Sequence, residues 1–243
     1  MNMKRLFFVA ALLLLSLSLH SQTAGEDYRL YASGNSTGML VLRGRQGMKF
    51  PLPHNGTHYW YTPEFISGSL YYNKKEYDGV FLNIDAFNQE LVIAEMHTRT
   101  NILLVREYVE RFTIGDRKYV NLNACGCPSA PAGYFELVYD GSAKFYLRID
   151  KTLETDMEEK RWASAGYQGN LRKGVHDIFI ENRSYYYQGE DGTLVRISGR
   201  NALLKIYAQR RKDILRHMKA VGKQDVRDIC EYAAEVLKYV EGR

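Results

Sequence analysis

The chain has 243 residues, 45% of them hydrophobic and 13% aromatic, with 33 basic side chains against 28 acidic ones and a formal net charge of +5. A charge excess that small selects no partner class. A chain of this size can bury about 70% of its unfolded surface without staples, and three Cys exclude a disulfide framework, which uses more of them and in even numbers.

Lys4 and Arg5 precede an apolar run from Leu6 to Leu15 that continues through Ser16, Leu17, Ser18 and Leu19, and small polar residues follow from His20 to Gly25. This layout predicts a secretory signal peptide over 1–22, cleaved between Ser21 and Ala24. The run is shorter than the about 20 residues a membrane span needs, and none like it follows, so a soluble mature protein is expected. No Cys near the end of the run offers a lipid attachment point.

From 23 to 198 the pattern is that of an antiparallel β domain, with short Val, Ile, Leu, Phe and Tyr runs broken by turn residues. Strands are predicted at Ser67 to Tyr72, Tyr77 to Asp85 and Glu90 to Ala94, joined by turns at 73–75 and 86–89. Strict alternation in the second would put Tyr77, Gly79, Phe81, Asn83 and Asp85 on one face, and Asp78, Val80, Leu82 and Ile84 on the other. Neither face is wholly polar at its centre, so both should be partly covered. Further strands are predicted at 101–106, 109–114, 118–122, 134–139 and 144–149, with tight turns at Gly115-Asp116 and Asp140-Gly141. Residues 151–173 carry the acidic cluster Glu154, Asp156, Glu158 and Glu159 and are read as a long loop. The β pattern resumes at 178–180, 185–188 and 193–197.

After Ser198 the period becomes helical, and 199–243 forms a C-terminal segment of two or three amphipathic helices. Leu203, Ile206, Tyr207, Ile214, Leu215, Met218 and Val221 share one stripe that Gly222 ends as a C-cap. Asp225 is the expected cap of the next helix, whose apolar stripe holds Cys230 as a buried, inert thiol. The fold class is thus mainly β (α+β): a curved antiparallel meander or partly open barrel with helices packed on it.

The stretches Ile66 to Tyr72, Leu82-Asn83-Ile84-Asp85 with Glu90-Leu91-Val92, Gly133 to Gly141, and Tyr185-Tyr186-Tyr187 leading through Gly192 into the helices resemble a family of uncharacterised exported proteins common in Bacteroidota. The resemblance covers most of the mature chain and is carried by apolar patterns and turn residues. It implies a location in the periplasm or at the cell surface of a Gram-negative bacterium, and implies no activity. Cys125-Gly126-Cys127 and residues 151–173 fall outside the shared pattern.

Among chemical constellations, Cys125 and Cys127 form a candidate disulfide or thiol pair, but a metal site wants three or four ligands and no others are near in sequence. His54 and His58 would stand about 13 Å apart on an extended strand, too far for one metal unless Asn55-Gly56 turns the chain. No nucleophile elbow, zinc-protease motif or phosphate loop is present, so no catalytic residue, metal or cofactor is expected.

Tyr59-Trp60-Tyr61 and Tyr185-Tyr186-Tyr187 are candidate ligand platforms, with Tyr59, Trp60, Tyr61, Tyr185 and Tyr187 as the expected contacts. The first C-terminal helix carries Arg200, Lys205, Arg210, Arg211, Lys212, Arg216 and Lys219 against Asp213 alone. Arg210, Arg211 and Arg216 are therefore candidate contacts to an anionic membrane surface or an acidic partner, the bland alternative being a solvated face balanced by the acidic cluster. Nucleic acid is not an expected partner of an exported protein. The leading expectation is a non-enzymatic envelope protein with a binding or structural role. A carrier of a lipid or other apolar ligand comes second, and a glycan-directed enzyme third.

Overall fold

The computed structural model describes residues 44–47, 54–95, 100–156 and 176–242, so the predicted signal peptide lies outside the described residues. The strands are β1 (Arg45–Gln46), β2 (His54–Asn55), β3 (Ile66–Tyr72), β4 (Lys75–Asp85), β5 (Glu90–Ala94), β6 (Asn101–Leu103), β7 (Val109–Ile114), β8 (Arg117–Val120), β9 (Phe135–Asp140), β10 (Lys144–Asp156), β11 (His176–Gln188) and β12 (Leu194–Ile197). Helices α1 (Arg200–Ile206), α2 (Arg211–Ala220) and α3 (Ile229–Glu241) close the chain. No helix among the described residues is long and apolar enough to cross a membrane.

One sheet contains every strand, in the order β1-β6-β5-β4-β3-β7-β8-β9-β10-β11-β12, with β2 added on β11. It is mostly antiparallel, as expected; among the described residues β1 and β12 are its edges, and it is not closed into a barrel. The chain lays down β3 to β6 in one direction, then returns to the far side of β3 and continues from β7 to β12. Asn73 and Lys74, both at positive φ (48° and 62°), make the tight turn between β3 and β4, a geometry that matches the twist of the flanking strands.

The two halves of the meander meet at Gly68. A Cβ on this residue would lie 1.8 Å from the Thr113 carbonyl oxygen, so only glycine lets β3 approach β7 there. Next to it the β3–β4 register shifts between Gly68 and Ser69, opposite Gly79 at φ +72°. This bulge overturns the strict alternation expected for β4: one extra residue turns Tyr77 to the same side as Val80, Leu82 and Ile84, and all four are in the core.

The 151–173 loop is corrected as well. Every residue from Lys144 to Asp156 pairs with one from Gln188 to His176, so Lys151–Asp156 is strand and the two short runs at 178–180 and 185–188 are one long β11. The acidic cluster did not prevent this, because Thr152 and Glu154 are exposed while the alternate positions Lys151 and Leu153 are buried and half-buried. Residues 157–175 lie outside the described residues.

The curved sheet wraps a core from Leu70, Tyr77, Val80, Leu82, Ile84, Leu91, Ile93, Val109, Leu147 and Ile149. Its centre is a run of aromatic rings: Trp60 meets Tyr119 edge-on at 5.4 Å, Tyr119 stacks on Phe112 at 5.0 Å, and Phe112 meets Tyr134 edge-on at 5.2 Å. A second core lies between β9–β12 and the helices, from Phe145, Ile197, Leu203, Leu204, Ile214, Met218, Tyr232, Ala233, Val236 and Leu237.

The first helix predicted after Ser198 is two. A 3-10 turn at Ala208–Arg210 separates α1 from α2 and resets the phase of the apolar stripe. Leu203, Leu204, Ile214 and Met218 are buried, whereas Ile206, Leu215 and Val221, expected in the same stripe, are exposed. Gly222 (φ +69°) ends α2 as predicted: Lys223 N–H donates to the Met218 carbonyl and Gly222 N–H to that of Lys219. The cap of α3 is Asp228, not Asp225; its carboxylate accepts from the backbone N–H groups of Cys230 and Glu231.

Candidate functional site

Residues 54–64 cross from β11 to the end of β4 and act as a strap. His54 and Asn55 pair with Asp177 and Ile178, and four residues further on Tyr59 bridges Asp85. Trp60 N–H donates to the Ile84 carbonyl and Ala86 N–H to that of His58. Two buried polar side chains hold the strap down. Lys151 Nζ donates to the carbonyls of Thr57 (2.9 Å) and Tyr59, and Asn83 Nδ2 to those of Thr62 (2.8 Å) and Glu64 (2.9 Å). A buried ammonium is tolerated because its N–H groups find carbonyl partners, although burial pulls its pKa below the ordinary lysine value.

This anchoring sorts the aromatic triplet. Tyr59 is buried with Val92 and Leu103, Trp60 is only 2% exposed inside the sheet, and Tyr61 remains 40% exposed. Of the three residues of this triplet, Tyr61 alone is exposed.

Tyr61 belongs to a cluster with Arg117, at the start of β8, and Glu136, on β9. Its hydroxyl donates to Glu136 Oε2 at 2.5 Å, Arg117 Nη1 donates to Glu136 Oε1 at 2.6 Å, and the guanidinium carbon lies 4.3 Å from the centre of the Tyr61 ring. Glu136 is 7% exposed and sits opposite Tyr119, with its charge met by the guanidinium and the phenol together. Burial, and then the bond to Glu136, push the Tyr61 pKa far above the usual tyrosine range, so the phenol stays a donor. The cluster stands at a half-open groove of about 360 Å³ lined by Trp60, Tyr61, Ile66, Asn83, Ile114 and Arg117. An apolar floor with a few convergent polar groups is the usual make-up of a small-molecule site.

Glu136, Arg117, Asn83 and Lys151 were not legible as site residues. The one available signal was Glu136, a carboxylate inside the apolar run Phe135 to Val138, where a solvated glutamate belongs only if that strand face is open.

The other predicted residues lie elsewhere. Tyr187 is buried, its hydroxyl 3.0 Å from that of Tyr207 in α1's C-cap, so it ties β11 to the helices. Tyr185 is half-buried against Phe145, and Tyr186 packs edge-on against Phe135 on the opposite face. These rings are packing elements, not an exposed platform.

Cys125 and Cys127 are free thiols: Cys125 Sγ lies 3.6 Å from the Glu110 carbonyl and Cys127 Sγ 3.6 Å from the Ser129 hydroxyl. Cys230 is half-buried between the two cores, and burial pushes its thiol up to about 12, which suits the inert role expected of it. His58 lies against Tyr59 with ring centres 4.0 Å apart and planes tilted by 37°, and no cluster of three or more metal-ligating side chains occurs among the described residues. Arg210 donates to the Val240 carbonyl at 2.8 Å with its guanidinium over Tyr239, and Arg216 pairs with Asp213 at 3.2 Å. Arg211 is exposed.

Comparison with protein-family models, with curated proteins and with solved structures finds no match for the chain.

Proposed function

We propose that the protein is an exported, non-enzymatic binding protein that holds a short glycan in the groove beside Tyr61, Arg117 and Glu136. The observation that carries this reading is the joining of an apolar and aromatic groove to a buried carboxylate already oriented by two donors. A sugar presents an apolar C–H face, which suits Ile66, Ile114 and the aromatic wall, and hydroxyls that can accept from Arg117, held in place by Glu136, and donate to Glu64 on the same groove wall. Both Glu136 oxygens are engaged, which favours a recognition role over that of a free acid or base. The aromatic packing inside the sheet occupies the space that a carrier of long apolar chains would need.

The Trp60 indole N–H has no acceptor among the described residues and its ring lines the groove, so its indole NMR signal is a built-in probe. In a Trp162→Phe background that leaves this single indole, titration with mono- and oligosaccharides should shift the signal saturably. Arg117→Ala should weaken the binding about tenfold, the worth of one charge-assisted hydrogen bond. No saturable shift with any sugar, or a co-purifying acyl lipid in the native mass spectrum, would sink the reading.

A further inference from the structure

The C-terminal helices leave a surface that packing does not explain. Ile206, Leu215 and Val221 are 39%, 44% and 42% exposed and lie within one short stretch of chain at the ends and on the outer side of α1 and α2. They are exposed because the 3-10 turn at Ala208–Arg210 breaks the stripe they would otherwise have shared with Leu203, Ile214 and Met218. On α2 the neighbours of Leu215 at three and four residues are Arg211, Lys212 and Lys219, all exposed, together with the buried Met218. An aliphatic side chain therefore stands within a ring of cations, and at the end of α1 Ile206 and the preceding Lys205 are both exposed.

The structure also sorts these cations. Arg210 is turned inward to the Val240 carbonyl and the Tyr239 ring, and Arg216 shares its charge with Asp213, the one acidic residue of α2. Lys223 is paired with Glu235 and Glu231. Arg211, Lys212 and Lys219 have no ion pair among the described residues, and they are the ones that surround Leu215.

We infer that the outer face of α2, centred on Leu215, docks on an anionic lipid surface. Charge complementarity selects this occupant: the uncompensated side chains are all cationic, and their long stems let the charged ends reach phosphates while Leu215 enters the acyl boundary. A lone charged face would call for electrostatic adsorption only, and a lone apolar one for a protein groove. Their interleaving fits an interface that is apolar below and anionic above. The docking surface is separate from the groove beside Tyr61 and shares none of its residues.

The test is co-sedimentation of the protein with vesicles of phosphatidylcholine alone and of phosphatidylcholine mixed with phosphatidylglycerol, which carry no sugar and so do not engage the groove. Binding is expected only to the anionic vesicles and should weaken as salt is raised. Arg211→Glu, Lys212→Glu and Lys219→Glu together should reduce it at least tenfold. Leu215→Ser, which changes no charge, should reduce it several-fold while leaving the circular dichroism spectrum and the sugar titration unchanged. Absence of binding to anionic vesicles at low salt overturns the inference, as does binding that survives the triple substitution. Binding that the triple substitution abolishes but Leu215→Ser leaves intact overturns the apolar part and reduces the face to a general cationic surface.

Discussion

The strap over the curved sheet and the helices over its far end bury comparable aromatic and aliphatic side chains, but they are fixed in opposite ways. The strap is held from within, by Lys151 and Asn83 reaching across the sheet to its carbonyl oxygens. The helices are held by an apolar stripe, with their polar groups at the margin: the Asp228 cap, the Gly222 terminus, and Glu241, whose carboxylate accepts from the Tyr139 hydroxyl and the Ala143 N–H. Buried polar groups are costly to disturb because each partner left behind is unsatisfied, whereas marginal ones can turn to water. The strap should therefore fail sharply on single substitutions, and the helical end gradually.

The largest expected contrast is between two glycines. Gly68→Ala places a Cβ against the Thr113 backbone and must push β3 from β7, at a cost on the order of 3–5 kcal/mol. Gly222→Ala at the end of α2 meets no neighbour within 4 Å and bears only the left-handed backbone, about 1 kcal/mol. Urea unfolding of both variants measures the difference; equal losses would mean that β3 and β7 can part without consequence.

A smaller effect is expected from Lys151→Met, which keeps the stem but leaves the Thr57 and Tyr59 carbonyls without their donor. The loss should be about 1–3 kcal/mol, with Trp60 emission shifting to the red as the strap loosens. Unchanged emission and stability would show that water replaces the ammonium and that the strap is not held as argued.

The smallest effect belongs to the helical end. Glu235, bonded to His217 Nε2 at 3.0 Å and Lys223 Nζ at 3.1 Å, has its carboxyl held below the usual glutamate range by these bonds. A depressed folded pKa stabilises the fold above the ordinary value of about 4.3, and this contribution is lost as pH falls through the lower folded value. Glu235→Gln should therefore flatten the decline in stability at acid pH and cost little more than about 1 kcal/mol at neutrality. An acid limb of the same steepness in the variant would remove Glu235 from that role.

The same contrast explains what could be read in advance. The apolar repeat and Gly222 disclosed the C-terminal helices, but the short 3-10 break in their path did not show, and with it went the exposure of Ile206, Leu215 and Val221. The candidate groove was legible only as Trp60 and Tyr61. The partners of Tyr61, Arg117 and Glu136, lie 56 and 75 residues away, brought in by the return of the chain from β6 to β7 on the far side of β3.

The sequence by itself determined the succession of antiparallel strands and terminal helices, because alternation, turn residues and helical period are properties of neighbouring residues. Tertiary structure decided which of the aromatic triplets would be buried, that the acidic stretch from Lys151 to Asp156 would be strand, and that Glu136 would meet Tyr61 and Arg117. Those outcomes depend on a ladder spanning β10 and β11, on the return of the chain to the far side of β3, and on carbonyl groups of the strap captured from 92 and 94 residues away. A local pattern states which side chains share a face; only the folded chain states what that face meets.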